Sequence, residues 1–352
     1  MPGIMNRKTF TRRSSLCLAG AASLFLAQCG KPAGTASGGG TVPKGAVQAG
    51  KFIVLEAMTD QTDRAVAKQN CETALAKNED LAAVTGLWSY NTPQCLEALK
   101  AKGKLGKVKV FAFDEEAAVL DAIAQGHAEG TIVQQPYQFG YQSMKYLKDL
   151  ADGKEVQVGP DKVVAVPAVT ITKENLAEFR ATMEKQQADG RIDSPPPAPG
   201  APKFAFVINN MSPFWLLAKA GLRKAEAEFG LVADFQAPSD GSVNEQNRIL
   251  SSIVSKGDYK GVAISPVDAA NQTQVLNDVA AKLPLVTQDS DAPKSNRRFY
   301  VGTNNVEAGR LLAKLIKTRM PDGGKIAVFV GSMDAQNARE RYQGLVEELK
   351  QP

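Results

Sequence analysis

Residues 203–215, KFAFVINNMSPFW, decide the fold. A five-residue apolar run, 204–208, is followed at once by two asparagines, a Ser-Pro step and two aromatics that open a helix-period segment, 214–229. A short, uniformly apolar run suits a strand buried on both faces, and such strands occur where helices cover both sides of a parallel sheet. The same pattern recurs along the chain in both directions. Apolar runs of strand length fall at 52–55, 82–87, 108–113, 130–133, 163–169, 261–264, 285–287, 299–301 and 325–330. Helix-period segments fall at 63–77, 93–102, 117–125, 139–151, 244–256, 269–281, 306–320 and 338–350. This alternation predicts βαβ units and an α/β fold of doubly wound parallel sheets. A chain of 352 residues is long enough for two lobes with separate cores.

Composition narrows the function. The formal charge of +5 includes Arg7, Lys8, Arg12 and Arg13, and residues 1–28 contain no acid. Removing those four charges from +5 leaves +1, which gives no electrostatic footprint for nucleic acid. His127, in the turn-like AQGHAEG, is the one histidine. That count disfavours a His base, a Ser–His pair or a His-rich metal site, and no metal or cofactor is expected.

Residues 5–29 combine a basic MNRKTFTRR, an apolar LCLAGAASLFLA and then Cys29, the layout of a secretory signal. The apolar run is too short for a transmembrane span, which needs about 20 residues. LAQC at 26–29 resembles a lipoprotein box, which implies a lipidated Cys29; Gln28 departs from the small residue usual there, and ordinary cleavage is the alternative. Arg12-Arg13 weakly resembles a twin-arginine signal, so either export route stays open. Residues 31–50 are rich in Gly, Ala, Ser and Pro with no apolar period and read as a tether.

In doubly wound sheets, ligands bind beyond the carboxyl ends of the strands. After 204–208 come Asn209, Asn210, Phe214 and Trp215. The two aromatics either stack on a sugar face or pack in the core. After 285–287 come Asp289, Ser290 and Asp291, whose carboxylates suit paired hydroxyls. After 325–330 come Asn337 and Arg339; ARER at 338–341 is either a solvated first helical turn with local charge pairs or a turn that brings Arg339 into the site and leaves Arg341 outward. Trp88 and Tyr90 either form a second stacking wall or pack beneath a strand end. Asp268 is expected to cap the following helix rather than touch ligand. Cys71 and Cys95 lie on segments flanking 82–87 and are either bridged or buried thiols.

Seven blocks carry a family resemblance: NNMSPFW (209–215), SPVDAANQ (265–272), QDSDAP (288–293), AQNARERYQG (335–344), GLWSYNTP (86–93), VFAFDEE (110–116) and TIVQQPYQFGY (131–141). Together they resemble the type I periplasmic sugar-binding proteins, the ribose-binding-protein relatives that feed ABC transporters. The resemblance implies two α/β lobes joined by a three-crossing hinge, and sugar contacts at Asn91, Asp114 and Gln134. In that family the PFW-bearing segment comes first; here the QQP-bearing segment does, so the chain resembles a circular permutation. On that mapping 1–28 is a signal peptide and 29–49 a tether. Residues 50–135 with 161–180 and 305–352 form one lobe, and 136–160 with 203–304 the other. The Pro-rich linker 186–202, able to span roughly 50 Å, joins the ancestral termini. The hinge crossings are expected near 303–305, 134–136 and 153–161.

The function so implied is an exported, monomeric, lipid-anchored binder of a monosaccharide or small polyol. It would close on its ligand and deliver it to an ABC transporter permease. A sensor subunit signalling to a membrane receptor is the alternative. A repressor of the same lobe type would need a helix-turn-helix in place of the export leader. No phosphate loop, metal cluster or nucleophile elbow argues for an enzyme.

Overall fold

The apolar runs pair into two sheets. In the first, β1 (Val47–Ala49), β2 (Phe52–Val54), β14 (Gly324–Val330), β4 (Leu81–Gly86), β5 (Lys109–Phe113), β6 (Gly130–Val133) and β8 (Val169–Ile171) lie side by side in that order. The short β3 (Met58–Thr59) pairs with the far end of β14. In the second sheet the order is β10 (Val232–Gln236), β9 (Lys203–Val207), β11 (Tyr259–Ile264), β12 (Leu285–Gln288), β13 (Tyr300–Gly302) and β7 (Val163–Ala165). Pairing is parallel except between β1 and β2 and between β6 and β8. The structure, a computed structural model, describes residues 42–190 and 198–352. The leader with Cys17, the twin arginines and Cys29, and linker residues 191–197, lie outside that range.

Strand pleating sends alternate side chains to two helical layers. In the first lobe Val110 and Ala112 of β5 pack under α1 (Arg64–Lys77), α2 (Asn91–Ala101) and α3 (Ala117–Gln125). Phe111 and Phe113 of the same strand pack on the opposite side, under α9 (Asn305–Arg319) and α10 (Gln336–Leu349). The second lobe repeats this. Phe204 and Phe206 face α4 (Pro136–Ala151) and α6 (Phe214–Phe229), while Ala205 and Val207 face α7 (Val243–Lys256) and α8 (Thr273–Ala280). Each lobe joins one helix pair by backbone contact. A Cβ on Gly221 would overlap the Tyr137 carbonyl, and one on Gly344 the Val306 carbonyl, so only glycine lets α6 meet α4 and α10 meet α9. Side-chain caps start several helices: Asp63 accepts from the N–H groups of Ala65 and Val66, Ser242 from Glu245, and Asn304 from Glu307.

The chain passes between the sheets at 134–135, 303–304 and 166–168. The first two match the expected crossings. The third corrects the expected 153–161, and moves 161–165 to the second lobe. Val163–Ala165 pairs in parallel with Tyr300–Gly302 at the edge of the second sheet. Pro167 has no N–H to continue that ladder, and the chain resumes as β8 in the first sheet. The single apolar run read at 163–169 is thus two strands in two lobes. Thr303 Oγ1 links all three passages, donating to the carbonyls of Val166 (3.3 Å) and Gln134 (3.5 Å). A further helix, α5 (Leu176–Asp189), packs against α3 through the Leu176 layer and against α6; the Tyr137 hydroxyl donates to Asp189 at 2.6 Å.

The C-terminal strand β14 lies between β2 and β4, both from the N-terminal half. The end of α10 meets the start of β2, where a Cβ on Gly50 would stand 2.7 Å from the Leu349 carbonyl oxygen. Residues 203–352 expressed alone therefore leave β14 without any of its partner strands, and α6 without α4. We expect that fragment to melt without a cooperative transition and its 324–330 amides to exchange rapidly with solvent. A cooperative melt with protected amides in that strand would contradict the topology.

Candidate functional site

The carboxyl ends of β4, β5, β6, β9 and β12 converge with the start of α10 on one cleft between the lobes. The empty space among these groups is about 430 Å³ when the open solvent at its mouth is included. Trp88, Asp114, Gln134, Asn210, Phe214, Trp215, Asp289 and Asn337 line it, so eight of the expected residues come together. Ser89, Ser212 and Arg341 join them beyond the expected set.

Two carboxylates face each other across the lobes in equivalent places. Asp114 follows β5 and Asp289 follows β12, and both have left-handed backbones, with φ of 67° and 58°. A non-glycine residue in that conformation costs about 1–3 kcal/mol and persists only where the surroundings impose it. Here the turn aims each carboxyl inward from its strand end. Both are buried. Burial pushes Asp114 up to about 6, against the pull of the Arg341 guanidinium and a hydrogen bond from Gln134. Burial likewise raises Asp289, against Arg341 and a bond from Ser265.

Arg341 is the cation between them, and it is 1% exposed. Its Nε donates to Asn305 Oδ1 at 2.9 Å, one terminal nitrogen donates to the Leu87 carbonyl at 2.7 Å, and the other donates to Gln134 Oε1. The guanidinium lies 4.8 Å from the centre of the Phe113 ring. Gln134 passes the polarity on by donating from Nε2 to Asp114 Oδ1 at 2.8 Å. Of the five guanidinium N–H groups, these bonds use three. Two donors remain beyond these bonds.

The aromatic wall is shared between cleft and core. Phe214 and Trp215 meet edge-on at 5.0 Å, and both also belong to the second-lobe core. Both residues thus line the cleft and pack in the core. Trp88 donates from its indole to Asn337 Oδ1 at 3.2 Å, and Asn337 Nδ2 donates across the lobes to Ser290 Oγ, also at 3.2 Å. Asp268 accepts from the N–H groups of Ala270 and Asn271, capping the turn that leads into α8.

Three expected contacts are corrected. Arg339 is exposed and donates to the carbonyls of Met333 and Asp334 at 2.8 and 2.6 Å. Positions two apart on a helix face nearly opposite ways, so Arg339 and Arg341 cannot share the cleft. Asn337 and Arg341, four apart, share a face; that spacing was the available signal for Arg341. Asp291 is held by Arg297 (2.6 Å), by Thr287 Oγ1 (2.6 Å) and by the Ala292 N–H (2.7 Å), and does not line the cleft. Asn91 sits behind the wall. Its Oδ1 accepts from the Trp88 N–H at 3.1 Å and its Nδ2 donates to Asp60 at 2.7 Å, which fixes the 88–91 turn. Asp60 also accepts from the Tyr90 hydroxyl, and burial pushes its carboxyl up to about 6. Cys71 and Cys95 are buried free thiols, with Cys71 Sγ 3.9 Å from the Cys95 carbonyl. Among the described residues no cluster of His, Cys, Asp and Glu could hold a metal ion, and no helix is long and apolar enough to cross a membrane.

A family model described as a periplasmic binding protein domain matches residues 42–155 and 204–352. Among curated proteins, the D-allose-binding periplasmic protein of Escherichia coli (strain K12) is 27% identical over 161 residues, 43% of this chain and 51% of that one. The ribose import binding protein RbsB of Bacillus subtilis (strain 168) is 30% identical over 139 residues, 39% of this chain and 44% of that one. The chain thus spans about half the length of the curated relatives it matches. Among solved structures, an ABC transporter solute binding protein from Burkholderia graminis in complex with D-arabinose is 27% identical, covers 42% of this chain and 51% of that one, and has a TM-score of 0.41. GanP, a glucose-galactose binding protein from Geobacillus stearothermophilus, is 28% identical over 43% of this chain and 54% of that one, also at 0.41.

Two stability measurements follow from this geometry. Arg341→Ala removes the partner of two buried carboxyls and should cost about 3–5 kcal/mol in urea unfolding. Arg339→Ala should stay within about 0.5 kcal/mol. Equal losses would contradict the placement of the two arginines. The second concerns pH. Asp114 binds its proton more tightly folded, at about 6, than its ordinary value of 3.8. Its contribution to stability is therefore full below about pH 4 and is lost as pH rises through about 6. Urea midpoints of the unliganded protein should fall less steeply across that window in Asp114→Asn than in the parent chain. Identical slopes would exclude an elevated Asp114.

Proposed function

This chain belongs to the periplasmic binding protein domain family, and from that premise we propose that it is an extracytoplasmic solute-binding protein. It captures a monosaccharide or related small polyol between its lobes. The observation that carries this is Arg341 set between Asp114 and Asp289, with Trp88, Phe214 and Trp215 on the same cleft. Carboxylates accept from hydroxyl pairs, a guanidinium donates to ring and hydroxyl oxygens, and aromatic faces cover C–H surface. Two acidic groups against one cation disfavour a phosphate or carboxylate ligand. Lobe closure buries the ligand and presents both lobes to an ABC transporter permease. The protein works without cofactor or catalysis, as a monomer, with Cys29 as the lipid attachment after export.

Circular permutation is part of this proposal. It is supported by the two separate matching segments, 42–155 and 204–352, and by β14 seated between strands from the chain's other end. The three passages through the hinge are left uncut, so the closing motion survives the rearrangement.

A thermal-shift screen of pentoses, hexoses and polyols tests the function, since ligand at about 100 times its Kd stabilises by roughly 2.7 kcal/mol. For the sugar that shifts the melt, Asp289→Ala should weaken binding by about 2–3 kcal/mol in calorimetry, because it leaves hydroxyls unpaired in a closed cleft. Arg339→Ala should leave affinity unchanged. No shift with any polyhydroxyl compound would overturn the proposal.

A further inference from the structure

The cleft does not end at its polar floor. Ser89, Asp114 and Phe214 also line a second, larger cavity, about 1,390 Å³ with the open solvent at its mouth included, between the start of α3, the end of α5 and the start of α6. Leu120, Leu216 and Leu217 contribute to its wall. Leu216 is 68% exposed, the one strongly exposed leucine among the described residues. Apart from the residues shared with the cleft, Glu115 is the one buried polar side chain of that wall. Both of its carboxyl oxygens are buried without a hydrogen-bond partner among the described residues. A buried polar group normally has a partner. Burial, with Asp114 beside it, holds the Glu115 carboxyl well above the usual carboxylate range.

We infer that the ligand is a glycoside whose sugar ring occupies the cleft and whose apolar aglycone occupies this annex. The inference rests on the sugar-binding function proposed above and narrows its substrate class. Leu120, Met183, Leu216 and Leu217 make the annex wall mainly apolar, which suits an apolar group, while Glu116, Gln187 and Lys219 stand at its half-buried or exposed edge. It joins the cleft through shared residues rather than standing apart as a separate site.

The test uses the common aldopentoses and aldohexoses, each as free sugar, methyl glycoside and phenyl glycoside of both anomers, measured by melting shift and calorimetry on the full chain. One phenyl glycoside should bind about ten-fold or more tightly than its methyl counterpart, the scale of burying an aromatic ring. Leu216→Asp, at an exposed position outside the cleft, should erase that difference while leaving free-sugar affinity unchanged. If sugars bind but phenyl glycosides bind no better, or if Leu216→Asp keeps the difference, the aglycone annex is overturned and sugar binding stands. If no saccharide binds in any form, both fall.

Discussion

The buried guanidinium of Arg341 is the constraint on which the rest of the site depends. A fully buried cation costs several kcal/mol unless its charge and its donors are met. Arg341 meets that cost with groups from four places: Asn305 at the start of α9, the Leu87 carbonyl after β4, Gln134 after β6, and the Phe113 face of β5. Those contacts fix α10 against the carboxyl edge of the first sheet. They also balance two carboxyls, one from each lobe, that burial would otherwise neutralise. Arg341 therefore both stabilises the first lobe and supplies the field in which Asp289 of the second lobe is tolerated when the lobes approach. Removing the second lobe would take away the Asp289 charge beside the cation while leaving its hydrogen bonds in place, which couples closure to the charge balance.

The hinge is built with similar economy. Thr303 donates to carbonyls on both other passages, and the Tyr300 hydroxyl donates to the carbonyls of Asp289 and Thr303. A change in lobe angle is thereby linked to the turn that aims the Asp289 carboxyl. The Asn337–Ser290 bond, formed directly across the lobes, is the complementary device at the cleft floor. Gln134 stands at both places: its carbonyl belongs to the hinge and its side chain to the charged network.

Much of this was legible in the sequence, for identifiable reasons. Buried parallel strands are uniformly apolar, so β6 and β9 stand out, and helices with long apolar stripes such as α3 and α6 were bounded to the residue. What escaped was structure whose pattern is mixed. In β10, Asp234 interrupts the apolar run; in the fold it accepts from the Tyr259 hydroxyl and Gln236. α5 buries little beyond Leu176, so its period is faint. The run at 163–169 hid a lobe change because the feature that divides it is a single proline. Among site residues, those just after strand ends were found, since strand position predicts them. Choosing Arg339 over Arg341 failed on helix phase, and Asp291 and Asn91 are held by local partners that no spacing rule reveals.

The most direct test is a crystal structure of the protein grown with the sugar, or glycoside, that gives the largest thermal shift. The account predicts the ring in the interlobe cleft, with hydroxyl oxygens at about 3 Å from Asp114, Asp289 and Arg341, and Phe214 or Trp88 against its apolar face. Density for the ligand outside that cleft, or a bound sugar that leaves Arg341 and both carboxyls untouched, would contradict it.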